Sequence, residues 1–187
     1  MKIQDGKGTG YEVAVDTQNR MQTFSISEER IADVSSRTGN AFIVATDFIA
    51  LTTTASYSGL VYIKNTSDLR LFISQLRLCS TASGTVQAQL IANPTTGTLI
   101  SDANLADQLS ANLGSSQVFD GLAYSASGDG KTVTDGTNFT QYINHSPGHS
   151  IQDYRGAIVI PKGSAIALQV KPSVALTICA EVQCWFE

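Results

Sequence analysis

His145 and His149 stand four residues apart, with Asp153 four further on. On a helix that spacing would align two imidazoles and a carboxylate around a zinc-like cation. Ser146-Pro147-Gly148 lies between them and breaks a helix. Only loop geometry could then converge three ligands, and the stretch reads as a solvent loop with two neutral imidazoles. Gly130-Lys131-Thr132 resembles the end of a phosphate-binding loop. The position five before Gly130 is Ser125 rather than glycine, and Val133-Thr134-Asp135-Gly136 forbids the long helix that must follow. Gly6, Gly8 and Gly10 lack the strand before and the helix after that a dinucleotide site requires, so they read as a pliable hinge.

Hydrolytic chemistry finds no better footing. No Gly-x-Ser-x-Gly elbow occurs. A glycosidase would need paired carboxylates, but Asp68, Asp120, Asp129 and Asp135 fall in turns, where aspartate caps backbone. Glu181 sits in a regular run, as an outward residue on an alternating strand. Cys79, Cys179 and Cys184 are odd in number and form no C-x-x-C pair, so neither a zinc nor a redox motif is supported. They read as small buried hydrophobes without an intramolecular disulfide. Cys179 and Cys184, five apart on one strand, point to opposite faces. The chain is read as a non-enzyme without catalytic residues, cofactor or metal.

The elements around these residues are strands. Ala41–Ala45, Phe48–Thr53, Leu60–Lys64 and Val86–Ala92 are rich in β-branched and aromatic residues, with Asn65-Thr66-Ser67-Asp68 and Asn93-Pro94 as turns. Leu69, Leu71 and Ile73 share one parity, Leu76 and Leu78 the other, which implies a bulge or bend near Ser74-Gln75. Phe139–Ile143, Gly156–Ile160 and Ala165–Val170 follow. From Leu176 to Phe186 apolar and polar residues alternate as in a long half-buried strand. Ser27 can cap a brief helix over Glu28–Ser35, ended by Gly39-Asn40. Asp102–Leu113, capped by Ser101 and stopped by Gly114, reads as a second helix with Leu105 and Leu109 on one face. Eight to ten short strands mean a sandwich or barrel. The expected fold is all-β: a jelly-roll-like antiparallel β-sandwich over residues 27–187, with an extended N-terminal arm over 1–26 and at most two short helices.

In the arm, Tyr11, Val13 and Val15 share one side of an alternating run. It has too little apolar surface to pack alone, so it is expected to be ordered by a partner, through Ile3, Tyr11, Val13, Val15 and Met21. Ser, Thr, Gly and Asn fill the polar positions, and only 15% of residues are charged. That suits a surface covered by neighbours. The net charge is −4, with 12 basic residues scattered singly. A nucleic-acid surface needs a basic stripe, so direct nucleic-acid binding is not expected. No apolar run reaches the ~20 residues of a membrane span, and no hydrophobic signal region opens the chain. The chain is read as made in a cytosol.

Five stretches carry a resemblance: IQDGKGTGYEVAVDTQNRMQT, GLVYIKNTSDLRLFISQLRL, IANPTTGTLIS, TVTDGT and VIPKGSAIALQVKPS. Together they resemble a group of tailed-bacteriophage virion proteins, whose members open on a similar QDG-G-G-A-VD-NRL phrase. The resemblance implies a β-sandwich body behind the arm, in a capsid decoration (cement) or other head-surface protein. The leading reading is then a protein on the capsid surface, bound to the major capsid protein or another virion protein and made in the bacterial host cytoplasm; the low charge density and the apolar arm point to a homotrimer. The alternative is a head-fibre or tail adsorption module binding a host carbohydrate through 95–131 and 145–154. Such a site would need exposed aromatics, and Phe119, Tyr124 and Tyr154 are the ones available.

Overall fold

Leu71 and Ile73 are buried at odd positions, Leu76 and Leu78 at even ones. The parity changes at Ser74, where the strand register slips by one residue. The computed structural model describes residues 30–101 and 104–187. The bulge lies in β4 (Leu71–Ala92), a strand of 22 residues with two different neighbours along one edge. β9 (Leu176–Phe186) pairs with its first half, Leu71–Ser80. β8 (Ala165–Pro172) pairs with its second half, Val86–Ala92. The other edge of β4 pairs along both halves with β7 (Thr137–Ile160).

The remaining strands extend each half outward. β1 (Ala41–Ala45) and β2 (Ile49–Leu51) pair with β9, and β5 (Asp107–Ser110) pairs with β1. β3 (Ser58–Asn65) pairs with β8, and β6 (Gly121–Ser125) pairs with β3. Every pairing is antiparallel. A line of breaks crosses the sheet at mid-length. Between Ser80 and Gly84 β4 leaves register with β7, which has only Pro147 between the matching partners Ser146 and Gly148. Ser173–Ala175 interrupts β8 and β9 at the same level.

One hydrophobic core draws on both halves: Phe42, Ile73 and Leu78 from one, Leu60, Ile63 and Leu90 from the other. The sheet thus bends at the breaks and packs its halves face to face. Phe42, Phe119 and Phe186 meet edge to face, with centroids 5.2–5.9 Å apart. Away from the bend, Leu105 bridges to Tyr124 and the Ala106 amide donates to the Ala123 carbonyl at 3.1 Å. That contact nearly closes the sheet. Fully burying one aliphatic side chain of this core contributes about 1.5–3 kcal/mol.

Two short helices occur among the described residues. α1 (Arg30–Arg37) buries Val34 against Ala41 and Trp185 on the outer face of the β9 half. The Thr38 and Gly39 amides donate to the Val34 carbonyl, and Gly39, at φ 71°, ends the helix. α2 (Thr98–Ser101) lays Leu99 over Gly59. The helix expected over Asp102–Leu113 does not form over the described residues 104–113. Asp107–Ser110 is β5, drawn into register by the free edge of β1. Leu105 and Leu109, expected to share a buried helical face, are 70% and 63% exposed. The jelly-roll-like sandwich expected from the sequence is observed as an all-β, nearly closed antiparallel sheet. The arm, with Ile3, Tyr11, Val13, Val15 and Met21, lies outside the described residues.

Candidate interaction surface

β7 begins with Thr137, Phe139 and Ile143, residues that suit a pleated surface, and ends at Val159 and Ile160. One edge pairs with β4 along most of its length, skipping Phe139, Pro147 and residues 154–157. The other edge pairs with nothing among the described residues. A strand of 24 residues thus presents a long row of backbone donors and acceptors, the template for adding another strand. Two features interrupt it. Pro147 lacks an amide hydrogen at the bend. Arg155 and Gly156 take left-handed φ values of 49° and 82°, in a bulge stabilised by Asp153. The Asp153 carboxylate accepts from the Arg155 amide and side chain, each at 3.2 Å. Gly156 leaves room for Trp185, because a Cβ there would come within 2.3 Å of the indole.

Odd-numbered residues of β7 face outward. Phe139, Ile143, Ile151 and Val159 are 57%, 61%, 47% and 42% exposed. These side chains stand among the exposed Gln141, His149, Asp153 and Arg155 on the same face, as separate apolar points along the open strand. At one end Phe139, Val159, Pro161 and Ile166 line a largely apolar hollow of about 400 Å³. Beside Ile143 the outer face is amide-rich. Gln89 Nε2 donates to Gln141 at 3.2 Å and to the Tyr57 hydroxyl at 2.9 Å, and Gln169 donates to Gln89 at 3.0 Å.

The inward row of β7 is polar where the strand bends. Tyr142 Oη, Asn144 Nδ2 and Ser150 Oγ are buried without a hydrogen-bond partner. Burial, with a smaller contribution from nearby Tyr154, pushes the Tyr142 hydroxyl well above its ordinary pKa. A buried unpaired donor costs about 1–3 kcal/mol, so β7's inner side is less completely satisfied than the strands behind it. Asn65 shows the contrast: fully buried, it donates to the Leu69 and Ile160 carbonyls, both at 2.8 Å, and accepts from the Ser67 amide.

Of the residues singled out for chemistry, Cys79, Cys179, His149 and Glu181 border one cleft, and the others are dispersed. His145 and His149 both lie on β7, opposite Thr85 and Cys79, so the expected solvent loop is in fact strand. Among the described residues no group of three His, Cys, Asp or Glu side chains could hold a metal ion. Lys131 precedes no helix, and Thr132 exchanges hydrogen bonds with Thr98. Glu181 faces outward and pairs with Arg77 at 3.3 Å. Asp68 meets Lys162 at 2.6 Å on the surface.

Two turn aspartates act as clamps. Asp129 Oδ2 accepts from the amides and hydroxyls of Thr52 and Thr53 at 2.7–3.0 Å. Burial acts to raise its pKa, but these four donors outweigh it and hold the carboxyl well below the usual range. Asp135 accepts from the Thr95 hydroxyl and the Thr95 and Thr96 amides, which bring it down to about 2.

The cysteines need a correction. Only Cys184 is a buried hydrophobe, its thiol pushed up to about 12 by burial. Past the Ser74 bulge odd positions of β4 face outward, so Cys79 is exposed, and Cys179 is half-buried beside it. The aromatics weighed for sugar binding do not stand free either. Phe119 is in the core, Tyr124 stacks on Tyr62 at 5.8 Å, and Tyr154 is half-buried on the inward row. No helix among the described residues is long and apolar enough to cross a membrane. No family model, curated protein or solved structure matches the chain.

Proposed function

We propose that the chain is a structural subunit of a virion surface that decorates or cements a bacteriophage capsid. The observation that carries this reading is the open edge of β7, with Phe139, Ile143, Ile151 and Val159 beside it. An open edge joined to an apolar row recognises an extended segment by strand addition. The arm of a neighbouring copy suits that edge. Its Tyr11, Val13 and Val15 alternate at the period of the β7 row. Three copies linked arm to edge make a closed ring. Each then contacts the capsid with the others already held in place, so weak contacts add up. The phrases that resemble those of tailed-phage virion proteins and the low charge density support the same reading.

The experiment mixes the purified protein with undecorated capsids and images them, beside light scattering of the protein alone. Trimers in solution and density at regular positions on the capsid are expected. Ile143→Lys places a charge in the proposed contact while leaving the core untouched. It should keep the melting temperature and weaken association at least about tenfold, the scale of a central contact residue. A wild-type chain that stays monomeric at micromolar concentration and leaves capsids bare overturns the proposal. So does an Ile143→Lys variant that assembles as the wild type does.

A further inference from the structure

We propose that Cys79 and Cys179 form a redox modification site, a cross-strand dithiol that a small external disulfide converts into an intramolecular disulfide. The two residues are direct partners in the β4–β9 register. Directly opposed residues of an antiparallel pair lie about 4.5–5.5 Å apart at Cα, inside the roughly 4.4–6.8 Å that a disulfide spans. Both face outward, Cys79 exposed and Cys179 half-buried, and the Cys79 thiol is within hydrogen-bonding reach of Cys179. Cys184, on the opposite face of β9, is fully buried and takes no part. A cleft of about 380 Å³ opens over the pair, walled by Arg77, His149, Ile151 and Glu181. It admits a small molecule to the sulfurs. The inference concerns the isolated chain and does not depend on assembly.

The chemistry is thiol–disulfide exchange. Cys79, the more accessible sulfur, attacks one sulfur of the external disulfide. The external S–S bond breaks and one small thiolate leaves. Cys179 Sγ then attacks Cys79 Sγ, breaks the mixed disulfide and releases the second small thiolate. The two protons lost by the cysteines end on the two released thiols. The protein sulfurs are oxidised and the external disulfide is reduced. A small dithiol reverses the sequence.

The test incubates the full chain with oxidised glutathione, then alkylates it under denaturing conditions and maps the peptides. Two of the three free thiols should be lost. The Cys79 and Cys179 peptides should be joined within one chain, with Cys184 still alkylated. Dithiothreitol should restore all three. The oxidised form should melt at a higher temperature, because the new bond closes a long loop. Cys179→Ser should stop at a glutathione adduct on Cys79, and Cys79→Ser should form no internal link. Three free thiols after prolonged incubation overturn the proposal. So does a wild-type adduct on Cys79 that never resolves, or a link between two chains.

Discussion

On the β9 side of the bend, the outer face of β4 carries Gln75, Arg77 and Cys79; on the β8 side it carries Thr85, Gln87 and Gln89. Their neighbours differ in the same way. Arg77 meets Glu181, Gln183 donates to Glu181, and His149 and Asp153 complete the row on β7. Gln89 instead meets Gln141, Gln169 and Tyr57. One strand thus presents a half bearing charged and thiol side chains and a half bearing neutral amides. Behind both faces lies the same apolar core. The outer faces differ in this way where packing does not dictate residue type.

The comparison is tested most strongly through that shared core. Leu78 on the β9 side and Leu90 on the β8 side are 0% and 1% exposed. Leu78→Ala and Leu90→Ala should each destabilise the protein by about 2–5 kcal/mol. Both should lower a single calorimetric transition, because the core is continuous. Two separated transitions in either variant would mean that the halves are independent units.

A smaller effect comes from the clamp that ties the halves together. Asp129 follows β6, on the β8 side, and grips Thr52 and Thr53, which leave β2 on the β9 side. Its folded pKa is depressed, as is that of Asp135, so each contributes stability above the unfolded value of about 4. That stability is lost as pH falls through the folded value, about 2 for Asp135 and lower for Asp129. Melting temperature should therefore drop between about pH 4 and about pH 2. Asp129→Asn and Asp135→Asn should start lower at neutral pH and show a flatter acid limb. An unchanged acid limb in both variants would remove the clamps from the account.

The smallest effect separates the outer faces themselves. Arg77→Gln breaks a partly exposed ion pair, with a cost of about 0–1 kcal/mol, and the difference from wild type should vanish in about 1 M salt. Gln89→Leu breaks three neutral hydrogen bonds, with a loss of about 1 kcal/mol that salt should leave in place. Equal salt dependence of the two would erase the contrast between the halves.

Much of the fold was legible where alternation ran long. β9 appears over the eleven residues that alternate, and the β4 bulge falls where Leu71/Ile73 gives way to Leu76/Leu78. The failures share a cause. Leu105 and Leu109 have helical spacing by coincidence; the edge of β1, more than sixty residues away, takes Leu109, and Tyr124 takes Leu105. Ser146-Pro147-Gly148 reads as a loop, but proline and glycine are tolerated in an edge strand at a bend. Of the candidate surface, the outward apolar residues were visible as residues. That their strand has an edge unused among the described residues could not be seen. Nor could the opposition of Cys79 and Cys179, because register between positions 100 apart is set by all the strands at once.

β9 comes last in chain order among the described strands, yet it lies between β4 and β1. During synthesis, then, the two strands it joins emerge long before their common neighbour. Until residues 176–186 leave the ribosome, both have an unused edge and the apolar faces of one half have no lid. Closing that gap requires contacts of large sequence separation, which form slowly. The nascent chain must therefore travel through its most adhesive state before it reaches its stable one. How crowded a cell is with copies of this chain, as well as its sequence, then governs how many reach the native fold.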